Sequence, residues 1–181
     1  MERIMIVGCS GSGKSTLASN LSQVLNIDLM HLDAHSWAAG WISAPKDQFE
    51  KAHEDFIKKD KWIIDGNCFR VIDERLERAD TIIHLDISRM SCVYGIIKWR
   101  IQFHGKTRPG IAENCPEQID WEHLKCVWKY KDTKYFKTKK MLAEQKEKNK
   151  KIIVLKSRNE VDVSVEEVKK SVRFEKSPES S

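Results

Sequence analysis

The chain is short of the features that would place it in several large classes. Its five cysteines, Cys9, Cys68, Cys92, Cys115 and Cys126, form no C-x-x-C pair, and their number is odd. That speaks against a disulfide framework or a zinc site and for a reducing compartment. No apolar run approaches membrane-spanning length, and Met1 leads straight into an apolar segment with no room for a signal peptide. The expectation is a cytoplasmic protein with no membrane partner. The net charge of +5 over 181 residues is mild and dispersed. It suits anionic ligands without announcing a nucleic-acid protein. There is no internal repeat. Neither the D-x-x-G switch nor the N-K-x-D base-reading motif of GTPases occurs, and no glutamate follows Asp65, where a motor ATPase would place its water-activating base.

What is present begins at Ile4. Ile4-Met5-Ile6-Val7 reads as a buried strand, and it runs into Gly8-Cys9-Ser10-Gly11-Ser12-Gly13-Lys14-Ser15-Thr16, which fits the phosphate-binding pattern G-x-x-x-x-G-K-S/T. Glycines open backbone angles closed to other residues, so successive amides can turn toward phosphate oxygens. Lys14 is expected to reach the β- and γ-phosphates of ATP, and Ser15 to ligate Mg²⁺. Leu17, Leu21, Val24 and Leu25 then follow at helical spacing, which sets the loop at a helix N-terminus where the dipole favours an anion. A plain glycine–serine turn would have no need of the lysine.

Further strands are expected at 26–33, 62–65, 81–86 and 151–155, with helices from Pro45 to about Lys59, 71–78, 89–104, 116–129 and from Ser164 onward, the last on a capping-box signature with Glu167. Alternating strands and helices predict a three-layer α/β/α domain with a five-stranded parallel sheet over 1–173, a lid-like insertion at about 98–120, and a disordered tail at 174–181. Three strands end in an aspartate, Asp33, Asp65 and Asp86. Ligands bind beyond the carboxyl ends of such strands, so these carboxylates should face the site or line its rim, unless they cap the next helix. Asp65 is the candidate second Mg²⁺ ligand. Met90, Val93, Tyr94, Ile97 and Ile101 are expected on the inner face of the 89–104 helix, and Trp121, Leu124 and Trp128 are read as packing. The lysine-dense stretch from Lys129 to Lys151 reads as a solvated helix face before it reads as a nucleic-acid surface.

With GTPases and motors set aside, a small phosphotransferase remains. Arg100, Lys106 and Arg108 are the candidate lid cations, Arg100 and Arg108 leading because a guanidinium binds phosphoryl oxygens in a bidentate fashion. The acceptor is placed between Asp33, the Trp37–Trp41 loop and Asn67. A nucleoside monophosphate acceptor would draw on Arg70, Arg75 and Arg89; a hydroxyl acceptor would use Asp33 as base. His31 and His35 lack an H-E-x-x-H context and read as ordinary residues. Oligomeric state stays open.

The ordered strings G-C-S-G-S-G-K-S-T-L-A, H-L-D-A-H-S-W, W-I-I-D-G-N, A-D-T-I-I-H-L-D, H-G-K-T-R-P and I-I-V-L-K-S-R-N-E resemble the bacterial family named DNA topology modulation protein, itself similar to adenylate kinase and other small nucleotide kinases. The resemblance spans roughly residues 1–165 and implies a phosphate-loop kinase fold that uses ATP. It also implies that Lys156–Asn159, with Arg158, lies where nucleotide kinases hold the adenine. A second reading that it allows is a nucleotide-binding regulator acting on DNA. The family pattern differs here at Gly95, where a basic residue is usual, at Gly110, where an acidic one is, and at Lys134-Tyr135, usually Arg-Pro.

Overall fold

The computed structural model describes residues 1–116 and 120–176, and of the side chains of Glu175 and Lys176 nothing is said. The central strand β1 (Arg3–Gly8) alternates its side chains between two layers. Ile4 and Ile6 join Leu17, Leu21, Ile63 and Ile83 on one face; Met5 and Val7 join Met30, Leu32, Phe49 and Ile64 on the other. Ile4, Met5 and Ile6 are fully buried, each worth about 1.5–3 kcal/mol of transfer free energy. Flanking it are β2 (Leu29–His31), β5 (Trp62–Asp65), β6 (Thr81–Leu85) and β7 (Lys151–Leu155), all parallel, in the order β2-β5-β1-β6-β7. A short antiparallel pair, β3 (Trp37–Ala38) and β4 (Ile42–Ser43), stands outside this sheet.

The helices are α1 (Lys14–Leu25), α2 (Leu32–Ser36), α3 (Lys46–Ile57), α4 (Ile72–Arg78), α5 (Arg89–Gln102), α6 (Trp121–Thr133), α7 (Tyr135–Glu147) and α8 (Arg158–Lys176). The sheet is flanked by helices as expected, and β1 at its centre carries the glycine loop to the carboxyl edge where chains on either side diverge.

Several expectations need correction. The second strand stops at His31, and Asp33 lies in the first turn of α2. α5 turns Cys92, Gly95 and Ile96 inward and leaves Met90, Tyr94 and Ile101 between 63% and 75% exposed. The cause is backbone contact: a Cβ on Gly95 would stand 2.3 Å from the Gly11 carbonyl oxygen, so the helix presents its small-residue side to the loop. α6 is rotated similarly, burying Val127 and Tyr130 and leaving Trp121 72% exposed. Arg89 lies over the Trp128 ring at 5.4 Å.

Asp86 lines no site rim. It accepts from Tyr135 Oη at 2.8 Å and pairs with Lys131 at 3.0 Å, tying α6 and α7 to the sheet. Burial opposes its charge, yet these two partners hold its carboxyl below the ordinary value. The final helix begins six residues before the expected Ser164. Ser157 Oγ accepts from the Glu160 amide at 3.2 Å while the Glu160 carboxylate accepts from the Lys156 amide at 2.8 Å, a capping arrangement two turns upstream of the one expected. That helix also continues through 174–176; the rest of the expected tail, 177–181, lies outside the described residues.

Candidate functional site

The loop between β1 and α1 is held from below. Asn67, just beyond β5, donates to the Gly8 carbonyl and accepts from the Gly8 amide at 3.1 Å. This reciprocal pair of hydrogen bonds between side chain and backbone fixes where the loop begins. Gly11 and Gly13 take φ of 78° and 100°, the left-handed region that a Cβ disfavours. Lys14 is nearly buried, and its Nζ donates to the Cys9 carbonyl at 3.0 Å, across the loop. Ser12 Oγ is buried with no hydrogen-bond partner. A neutral carbonyl is a modest partner for an ammonium, and an orphaned hydroxyl costs free energy, so the loop suits an anion. Cys9 Sγ donates to the Val127 carbonyl at 3.8 Å, and interaction with the Cys92 thiol, then burial, pushes the Cys9 thiol up, so it stays protonated.

Ser15 and Asp65 meet at the carboxyl edge of the sheet. Ser15 Oγ donates to Asp65 Oδ2 at 2.8 Å, and Asp65 is 4% exposed. The other oxygen of Asp65 lies 2.5 Å from His31 Nδ1. His31, read as ordinary from the sequence, pairs in register with Asp65 across β2 and β5, which puts the two side chains on one face. Among the described residues no group of three metal-ligating side chains occurs. A hydroxyl and a carboxylate at one point nonetheless match Mg²⁺, which takes few protein ligands and keeps waters and phosphate oxygens.

Two cavities open around the loop. The first, about 440 Å³, is lined by Gly13, Ser15, Thr16, Lys98, Arg108 and Arg158 among others. Arg158 Nη2 donates to the Gly11 and Ser91 carbonyls, both at 3.2 Å. It also stands 2.9 Å from where a Gly95 Cβ would lie, so a guanidinium from α8 takes the space beside that position. The second cavity, about 340 Å³, is lined by Ser10, Asp33, Trp37, Trp41, Trp99 and Arg108, with Asp120 and His123 at its far side. Arg108 and Trp99 line both, and the guanidinium lies over the indole at 4.3 Å.

The remaining candidates fall elsewhere. Arg100 turns onto His104 and lines neither cavity. Lys106 likewise lines neither. Asn67 is spent on Gly8. Arg75 is fully buried and donates to the carbonyls of Val71, Gly66 and Cys68, with burial lowering its pKa to about 10. Arg70 pairs with Glu50 at 3.7 Å, and Arg89 with Asp132 at 3.1 Å. Sequence reasoning passed over Trp99 and His123. Trp99 sits nine residues before Arg108 with no motif around it, and His123 reaches Ser10 Oγ at 3.0 Å through the packing of α6 on α5. Ile111 lines the second cavity, and the residues after it are tied to the β3–β4 connection. The Gly40 amide donates to the Asn114 carbonyl at 2.9 Å and Trp41 Nε1 to the Pro116 carbonyl at 3.0 Å.

No family model matches the chain, and no curated protein sequence does. Solved structures do. A gluconokinase from Sinorhizobium meliloti 1021 aligns at 12% identity with a TM-score of 0.50, covering 97% of this chain and 98% of that one. The shikimate kinase from Aquifex aeolicus aligns at 17% identity and 0.50, covering 96% and 97%. The shikimate kinase from Acinetobacter baumannii, solved with shikimate, aligns at 11% identity and 0.53, covering 97% and 95%. The chain shares the fold of these solved kinases. At these identities the likeness speaks for the fold alone, and the resemblance to the DNA topology modulation family rests on the sequence motifs.

Proposed function

We propose that the protein is an ATP-dependent phosphotransferase that moves the γ-phosphoryl group to a small acceptor. The observation that carries the reading is the meeting of two cavities at Arg108 and Trp99, one over the glycine loop and one beside Asp33. A donor and an acceptor lodged there would face each other across one guanidinium. The loop from Gly8 to Thr16 binds the β- and γ-phosphates through its amides, and Lys14 leaves the Cys9 carbonyl for a phosphoryl oxygen. Ser15 and Asp65 would hold Mg²⁺, which supplies charge neutralisation on those phosphates. Arg108 stabilises charge as it redistributes over the transferring group, and Trp99 fixes the guanidinium plane. Arg158 borders the nucleotide cavity and serves as part of its wall. Residues 103–116 act as the lid that excludes water.

The test is transfer of label from γ-labelled ATP to a small acceptor, with Lys14→Ala as control. The wild type transfers label and Lys14→Ala does not; transfer retained without Lys14 contradicts the assignment.

The second reading, a nucleotide-binding regulator that touches DNA, draws on the family resemblance and on Phe136, 76% exposed amid the lysines of α7. Binding to duplex DNA that weakens steeply with salt would favour it.

A further inference from the structure

Charge is unevenly distributed around the second cavity. Three indoles line it, from Trp37, Trp41 and Trp99, with Ile96, Ile111 and His123 beside them. Trp37 and Trp41 meet edge to face with centroids 5.7 Å apart and both remain partly exposed. Two carboxylates line the same space. One Asp120 oxygen accepts the Glu122 amide at 2.9 Å, as the cap of α6. Asp33 makes no side-chain hydrogen bond or ion pair among the described residues. The guanidinium that lines the cavity, Arg108, also lines the nucleotide cavity and lies on Trp99. The arginines that could have received an acceptor phosphate, Arg70, Arg75 and Arg89, are committed to Glu50, to three backbone carbonyls and to Asp132.

An acceptor with its own phosphate or carboxylate would therefore surrender its hydration to a wall where two carboxylates stand against the single guanidinium of Arg108, beside His123. A hydroxyl compound has no such penalty, and a ring face laid on the indoles gains stacking. We infer that the acceptor is a hydroxyl compound bearing no anionic group and presenting a flat ring face, and that Asp33 is its general base. This rests on the phosphotransfer reading. The acceptor oxygen forms a bond to the γ-phosphorus, the bond from that phosphorus to the β,γ-bridging oxygen breaks, and the electron pair leaves with the nucleoside diphosphate. The hydroxyl proton passes to an Asp33 oxygen.

The experiment uses the full chain, Mg·ATP labelled at the γ-position, and probes in charge-matched pairs. These are thymidine and adenosine against their 5′-monophosphates, glucosamine against gluconate, and a neutral cyclohexane polyol against shikimate. At least one uncharged or cationic member should accept label with kcat/KM tenfold or more above its anionic partner. That member should also quench indole fluorescence in a non-hydrolysable ATP complex, and Trp37→Leu should lose the quench. Asp33→Asn should lower its turnover about 10²- to 10⁴-fold while the quench persists. Preference for the anionic members overturns the inference and leaves the phosphotransfer reading intact. Labelling of no probe despite bound ATP overturns both. Unchanged turnover in Asp33→Asn overturns the role of that carboxylate.

Discussion

At the scale of single residues, Arg108 and Trp99 hold the two halves of the site together. If the protein transfers phosphoryl groups as proposed, removing the guanidinium would take away charge stabilisation that matters most during transfer. Arg108→Ala should lower kcat by about 10²- to 10³-fold with a much smaller effect on ATP affinity. Steady-state kinetics beside ATP calorimetry separates the two effects, and a loss confined to affinity would remove Arg108 from the chemistry. Arg100→Ala, by contrast, should leave kcat nearly unchanged, because that side chain is turned onto His104. A second residue sets a pH limit on stability. His53 is fully buried; burial first, then the Arg75 guanidinium, lowers its pKa to about 4, although Glu74 lies 3.2 Å from its Nδ1. The unfolded chain binds this proton near pH 6.5 and the folded one does not, so stability is full above that pH and falls as pH drops toward 4. The loss is on the order of 3 kcal/mol over that window. Urea denaturation at pH 7 and pH 5 checks it, with His53→Gln expected to flatten the difference.

At the scale of elements, α5 explains both what could be read in advance and what could not. Four of the five sheet strands followed from periodicity, since β1, β5, β6 and β7 fall within a residue or so of where their apolar runs place them. The buried face of α5 did not, because Gly95 faces the Gly11 carbonyl, and a close backbone contact outweighs the area that Tyr94 and Ile101 could have buried. Asp33 was misplaced for a related reason. β2 pairs with β5 for three residues before α2 begins, and no local signal marks that end. Gly95→Ala tests the contact. Its Cβ would need the loop backbone to move, so ATP affinity should fall tenfold or more and stability by about 1–3 kcal/mol. Unchanged ATP binding would show that the spacing of helix and loop is not what shapes the phosphate cradle.

Across the whole molecule, the glycine loop and the aspartate at the end of β5 were legible because each is local: a motif, and a strand end. The second cavity was legible only as a neighbourhood. Its pieces come from α2, the β3–β4 pair, α5, the segment ending at Pro116 and the start of α6, and tertiary packing alone sets Trp99 beside Arg108 and His123 beside Ser10. His31 became visible when β2 and β5 paired. In the proposed reading, all of these parts act on a triphosphate held at the end of β1. The most direct measurement is calorimetric titration of the protein with ATP, with and without Mg²⁺, for the wild type, Lys14→Ala and Asp65→Asn. One site should be found, tightened by Mg²⁺ in the wild type, lost in Lys14→Ala, and insensitive to Mg²⁺ in Asp65→Asn. Equal heats in the wild type and Lys14→Ala, or no heat with Mg·ATP in any of them, would contradict it.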